Sequence, residues 1–212
     1  NTEVLPTYTV TSLFSGCGGL DLGFVGGFDV LGRSFERLPF QVVTAIDNSE
    51  DAIETYRLNI GGDATLGDLT AIPAASLPAT DVLIGGFPCQ DFSSSGPKVG
   101  LEGERGRLYR VLVHYMEQHR PKVVVAENVP HFARLARGSI IKTVLEEFQA
   151  AGYRFGVWEL YAPDYGVPQS RRRIFLVGVR DDLKGFPVRP RMTHHGRHVS
   201  VDAALADLER VE

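Results

Sequence analysis

Tyr8-Thr9-Val10-Thr11-Ser12-Leu13-Phe14 runs straight into Ser15-Gly16-Cys17-Gly18-Gly19 and then into Leu20, Phe24 and Val25 at helical spacing. β-Branched and aromatic residues make the first segment a strand, and the periodicity after the glycines makes a helix. Strand, glycine turn, helix is how the ligand-binding edge of a doubly wound α/β fold begins, because the turn lets backbone amides and the positive helix end approach a cofactor's polar groups. Alone the turn is weak evidence, since a plain tight turn has the same composition. The next strand, Gln41 to Ile46, ends in Asp47, about 31 residues after Gly16. An acid there accepts hydrogen bonds from ribose hydroxyls, or else belongs to the start of the following helix, which Ser49, Glu50 and Asp51 open ahead of Ile53, Tyr56 and Leu58. Asp68, in Gly67-Asp68-Leu69-Thr70, meets a cofactor amino group or simply makes a turn.

Working outward, Thr80 to Ile84 is an apolar strand that ends in Gly85-Gly86-Phe87-Pro88-Cys89-Gln90. Two glycines permit close approach, Pro88 fixes φ, and a buried strand opening through a rigid turn presents Cys89 as a candidate nucleophile. Ser93 to Gly106 holds four glycines with Lys98 and Arg105, the composition of a loop that closes over a substrate. A helix from Arg107 to His119 follows, with Leu108, Val111, Leu112, Tyr115 and Met116 as its core stripe. The next apolar strand, Lys122 to Ala126, ends in Glu127-Asn128-Val129-Pro130. A carboxylate at the edge of a core must be paired or protonated, and a group of that kind suits proton donation near neutral pH; the structural alternative is a capping or ion-paired Glu. A helix over Ile140–Ala151 stops at Gly152, and Tyr153 to Tyr161 alternates as a strand with Trp158 in the core or on the sheet face. Gln169-Ser170-Arg171-Arg172-Arg173 then enters the strand Ile174 to Val179, and alternation sends Arg171 and Arg173 to one side and Arg172 to the other. His194-His195-Gly196-Arg197-His198 has no Cys or acid at ligand spacing, so no metal is expected. Ser200 to Leu208 reads as a short amphipathic helix.

The chain of 212 residues carries a net charge of −4, which by itself disfavours a nucleic-acid partner. Its distribution does not: acids outnumber bases ten to two between Asp47 and Glu104, whereas eight bases face two acids between Gln169 and His198. Such a split predicts an acidic region around one ligand and a basic surface near an anionic one, with two solvated faces as the plainer alternative. One core and one domain over 1–212 are expected at this length. No apolar run reaches the ~20 residues of a membrane span, and Asn1 to Val10 lacks the pattern of a secretory leader. With Cys17 and Cys89 in separate turns and no disulfide between them, a cytoplasmic location is expected.

Together these motifs closely resemble the C5-cytosine-specific DNA methyltransferases, in order and over nearly the whole chain. Phe14 to Leu20 looks like the first cofactor motif, Gly86-Phe87-Pro88-Cys89-Gln90 the nucleophile motif, Glu127-Asn128-Val129 the acid motif, and Gln169 to Ile174 the late arginine motif. The resemblance implies a Rossmann-like α/β fold with a mostly parallel seven-stranded sheet and an antiparallel edge strand. It implies S-adenosyl-L-methionine as cofactor, with S-adenosyl-L-homocysteine as product, held by Phe14, Ser15, Gly16, Cys17, Gly18, Gly19, Leu20, Asp47, Asn48, Asp68, Leu69, Gly86, Pro88 and Leu108. In it Asp47 stands at the ribose hydroxyls and Asp68 near the adenine amino group, while Asn48 replaces a bulky side chain that relatives often set against the adenine. The implied catalytic residues are Cys89, Glu127, Arg171 and Arg173, acting on a flipped-out cytosine in double-stranded DNA, with Gln90, Ser93, Ser94, Ser95, Lys98 and Arg105 on the closing loop. Restriction-linked modification in a bacterium, on nucleoid DNA, is the family's commonest setting. Family members continue into a target-recognition domain and a closing segment, so this chain is expected to be a catalytic fragment or one subunit of a split enzyme. A tRNA cytosine methyltransferase shares the same core and leaves the substrate open, and a binding module without catalysis and a nicotinamide or flavin oxidoreductase are the rival classes.

Overall fold

The computed structural model describes residues 7–88 and 108–206. Seven strands form one sheet: β1 (Tyr8–Leu13), β4 (Phe40–Asp47), β5 (Ala64–Leu66), β6 (Val82–Gly85), β7 (Val123–Asn128), β8 (Tyr153–Tyr161) and β9 (Arg172–Arg180), in the order β5-β4-β1-β6-β7-β9-β8. β5, β4, β1, β6 and β7 run parallel. β9 runs against β7, and β8 pairs antiparallel with it at the edge, which is the mostly parallel sheet with an antiparallel edge that the resemblance implies. Outside this sheet, β2 (Gly26–Val30) and β3 (Arg33–Arg37) form a hairpin with Phe28 stacked on Phe35. Sequence reading did not anticipate it.

Both faces of the sheet are covered, as a run of continuously apolar parallel strands requires. Along β6, Val82 and Ile84 face a layer completed by Leu20 and Phe24 of helix α1 (Gly19–Val25). Leu83 faces the other, larger layer, where Leu112 and Met116 of α3 (Leu108–His119) meet Val144 and Phe148 of α4 (Ser139–Ala150). Helix α2 (Glu50–Asn59) buries Ile53 and Tyr56 beside β4, and Ser49 caps it by accepting the Ala52 N–H, as its position predicts. Gly152, at φ 92, ends the α4 segment. The final helix is shorter than expected, a single turn over Val201–Ala204 capped by Ser200; residues 207–212 lie outside the described residues. Trp158 is half-buried on the sheet face of β8.

The topology places the functional edge. From β1 the chain moves outward to β4 and β5, then returns past β1 to β6, so the switch point lies where β1 and β6 end side by side with Leu13 opposite Gly85. Ligands bind at that crevice in open α/β sheets. β7 ends next to it, with Ala126 opposite Gly85. Because β9 is antiparallel, its start rather than its end reaches this edge, where Ile174 stands opposite Asn128. The arginines before Ile174 arrive there for that reason.

Gly178 of β9 lies under the ring of its cross-strand partner Phe155. A Cβ there would stand 2.3 Å from Phe155 Cζ, and Phe155 is held by Phe148 at 5.0 Å between ring centroids. Gly178→Ala is therefore expected to lower stability by about 1–3 kcal/mol, the usual range for overpacking, read from denaturant unfolding; an unchanged midpoint would contradict the packing described.

Candidate active site

The glycine turn after β1 is built from three strained or side-chain-free positions. Phe14 takes φ 57, Gly16 φ 54 and Gly18 φ 85, conformations that favour glycine and burden Phe14. At Gly18 there is no room for more than hydrogen: a Cβ would fall 2.7 Å from the Tyr56 ring. At Gly16 and Gly19 there is open space, with nothing among the described residues within 4 Å of such a Cβ. Cys17 is exposed and Leu20 is half-buried at the start of α1.

One carboxylate bonds this turn directly and a second ties together the elements around it. Asp47 Oδ2 accepts the Gly16 N–H at 2.8 Å, and Oδ1 accepts the Ser49 N–H at 3.0 Å. Asp47 thus serves the helix start and the turn together, and with about four acceptor positions on a carboxylate it retains capacity for further donors. Asp21, the third residue of α1, is fully buried. Its Oδ2 accepts Ser12 Oγ of β1 at 3.0 Å and its Oδ1 accepts Tyr56 Oη of α2 at 2.9 Å. No sequence signal beyond an acid in the first helical turn marked it, and such acids are usually solvated.

Asp68 makes the turn that was one of its two readings: Oδ1 accepts both the Thr70 N–H at 2.9 Å and Thr70 Oγ1 at 2.7 Å. Those bonds hold its carboxyl below the usual range. Leu69 is buried in the larger core, so it offers a ligand only backbone. Asn48 is exposed beside Asp47, and Leu108 is half-buried at the first position of α3.

At the end of β6, Gly86 is half-buried, Phe87 buried and Pro88 exposed. Asn128 holds this turn by donating from Nδ2 to the Phe87 carbonyl at 3.0 Å, while its Oδ1 accepts the Val129 N–H at 2.8 Å. Cys89, Gln90, Ser93, Ser94, Ser95, Lys98 and Arg105 lie outside the described residues, as does the loop from Ser93 to Gly106.

Glu127 meets the requirement for an acid at the core edge by pairing. Arg173 Nε lies 2.9 Å and Arg171 Nη2 3.1 Å from the same oxygen, Oε1. Oε2 accepts no hydrogen bond among the described residues, and it lies 3.6 Å from where a Cβ on Gly86 would stand. One oxygen is clamped and the other faces the turn leading to Cys89. Arg172 turns the other way, over the Tyr161 ring at 4.2 Å and near Glu159 at 3.8 Å, as strand alternation predicts.

Behind the arginines is a group the sequence did not mark. Asp164 Oδ1 accepts from His198 Nε2 at 2.9 Å and His195 Nδ1 at 3.2 Å. The acid sits some thirty residues before the histidines, which is why local spacing missed it. Among the described residues no group of three or more His, Cys, Asp or Glu is placed to hold a metal ion, and no helix is long and apolar enough to cross a membrane.

A doubly wound sheet with three motifs converging on its switch point defines the Rossmann-like methyltransferase fold. A candidate DNA modification methyltransferase encoded within a prophage of E. coli superposes on 97% of this chain and 56% of its own, with TM-score 0.77 and 27% identity. The S. pombe Dnmt2 methyltransferase gives 0.63 over 85% and 52% at 22% identity, a likeness of fold. Residues 8–210 match the family model for C-5 cytosine-specific DNA methylases, and the chain belongs to that family. It is 40% identical to the type II methyltransferase M.NgoFVII of Neisseria gonorrhoeae over 189 residues, 88% of this chain and 47% of the relative. With M.BspRI of Lysinibacillus sphaericus the identity is 34% over 223 residues, 95% and 52% respectively. The chain spans about half the length of the curated relatives it matches. Methyltransferases of this family use S-adenosylmethionine.

Burial pushes the Asp21 carboxyl up, against the opposing hydrogen bonds from Ser12 and Tyr56. A raised carboxyl holds its proton more readily when folded, so its contribution to stability is greatest below the unfolded carboxyl range and falls as pH rises through the folded value. Asp21→Asn cannot titrate. In denaturant unfolding across the acid range, wild-type stability measured relative to the variant is expected to fall with rising pH by about 1.4 kcal/mol for each unit of upward displacement. A pH-independent difference would show that Asp21 does not titrate between the folded and unfolded states.

Proposed function

We propose that this chain is the catalytic part of a DNA cytosine-5 methyltransferase, in which Cys89 attacks the target base and Glu127, set by Arg171 and Arg173, holds it. The observation that carries the reading is the divided Glu127 carboxylate, with Oε1 under two guanidinium groups and Oε2 directed at the turn before Cys89.

Cytosine C5 is a poor nucleophile. Addition of the Cys89 thiolate to C6 pushes electron density onto C5. Glu127 Oε2 hydrogen-bonds the N3 and amino edge and stabilises the N3-protonated adduct, and the arginines fix the acid and face the O2 side. S-adenosylmethionine, when bound, supplies the methyl group that ends on C5. A base removes the C5 proton, the electron pair re-forms the C5–C6 double bond, and Cys89 leaves. Because C6 is hidden in a duplex, the base must leave the stack, and the loop from Ser93 to Gly106 is assigned to close behind it.

The chain's own residues fit the cofactor. Ser15 Oγ is buried with no partner among the described residues, an atom that calls for a polar ligand. The space at Gly16 and Gly19 among the described residues, the remaining acceptor capacity of Asp47 and the exposed carboxylate of Asp68 support the same reading. Phe14, Cys17, Gly18, Leu20, Asn48, Leu69, Gly86, Pro88 and Leu108 complete the assigned set. Target recognition is assigned to a further segment or a second subunit, since the relatives are about twice this length.

Transfer of a tritiated methyl group to duplex DNA and to tRNA tests the assignment and its substrate together. Cys89→Ser is expected to abolish incorporation while leaving S-adenosylmethionine affinity by calorimetry within a few fold, and Glu127→Gln to slow it by about 10²–10⁴-fold, the usual span for a general acid. Wild-type turnover by Cys89→Ser, or transfer to tRNA alone, would overturn the reading.

A further inference from the structure

We propose that the segment Pro130–Gly138 is a phosphate-contacting arm, with Arg134 and Arg137 engaging the DNA backbone beside the target cytosine, a proposal that rests on DNA being the substrate. The segment leaves β7 just after Glu127 and Asn128 and winds as 3-10 turns. Three residues per turn put positions three apart on one face. Phe132 and Leu135 share the inward face and are buried, and the Phe132 ring meets Phe87 edge-on at 5.4 Å, two residues before Cys89. The arm is thereby clipped to the turn that carries the nucleophile.

His131 and Arg134 share the opposite, exposed face, and Arg137 is exposed beyond the break at Leu135. Among the described residues neither arginine makes an ion pair, as is also true of Arg120, Arg189, Arg191 and Arg197. The segment itself contains no acid, and the first turn of α4 that follows has none either. An unneutralised basic face at the mouth of the site complements a polyanion. The backbone is an independent sign. Ala136 and Arg137 adopt φ 47 and φ 56 in succession, left-handed conformations that side chains other than glycine's disfavour, and strain of this kind gathers at functional sites. Here it aims Arg137 outward before the chain enters α4.

The test is fluorescence anisotropy of a labelled duplex with the whole chain over a salt series. Each duplex phosphate contact contributes about 0.9 to the log–log salt slope. Arg134→Gln and Arg137→Gln are each expected to lower the slope by about 0.9 and the double variant by about 1.8, with affinity weakened at least several fold for every duplex sequence. Glycine separates function from folding at the strained pair. Arg137→Gly is expected to raise the melting temperature while lowering affinity, so that a loss of binding is separated from a loss of folding. Wild-type binding with unchanged slopes in the arginine variants overturns the arm and leaves the proposed function intact. Failure of the wild type to bind or methylate duplex DNA overturns both, and loss of affinity confined to a structured RNA competitor overturns the DNA assignment.

Discussion

Glu127 is the penultimate residue of a buried strand, where a carboxylate without a partner would destabilise the fold, and the two guanidinium groups on its Oε1 offset that penalty. Everything else at this edge depends on how they get there. Arg171 and Arg173 precede Ile174, and they reach Glu127 only because β9 runs against β7 and begins where β7 ends. A fully parallel sheet would have carried them to the opposite edge. The antiparallel strand is thus the topological condition for the acid to be paired on one oxygen and open on the other. Removing one arginine from such a cluster leaves a partly compensated charge, which is why truncation of either partner reports more than the pair's own net contribution.

The glycine turn after β1 follows a related logic with hydrogen bonds in place of ion pairs. A run containing Gly16, Gly18 and Gly19 has large conformational freedom, and ordering it for a ligand carries an entropic cost. Asp47 ties the Gly16 N–H from the β4 side, and Asp21 ties β1 to α2 beneath the turn through Ser12 and Tyr56. Tyr56 in turn fills the space against Gly18 that any other residue would need. The turn is therefore ordered by the fold itself, and a turn ordered in that way consumes less of any binding energy spent on it.

Most of the fold and the outline of the site were legible because their signals are local. Strand runs, glycine turns, the Ser49 cap and the alternation of Arg171, Arg172 and Arg173 are set by neighbours a few residues apart, and each appears where the sequence places it. What escaped were features that exist only after folding. Asp21 looks like an ordinary first-turn acid until Tyr56, thirty-five residues later, covers it. Asp47 was posed as either a ligand for a cofactor or part of a helix start, and its two oxygens serve the turn and the helix at once. The hairpin Gly26–Arg37 closes on its own stacked pair Phe28 and Phe35 rather than on the core, so no buried stripe announced it.

The histidine-rich tail has no acid at ligand spacing in the sequence, and the fold supplies one in Asp164. His198 first, then His195, hold its carboxyl below the usual range. A depressed carboxyl contributes stability above its unfolded range and loses it as pH falls through the folded value. Ala162, two residues before Asp164, donates its N–H to the Arg171 carbonyl at 2.8 Å. Val167 and Gln169 continue the same knit of backbone bonds up to Arg171. The backbone that presents Arg171 to Glu127 is therefore braced from behind by a segment more than twenty residues further along the chain. A long arginine side chain gains precision from such a base, because fewer of its degrees of freedom remain to be fixed when it closes on a carboxylate.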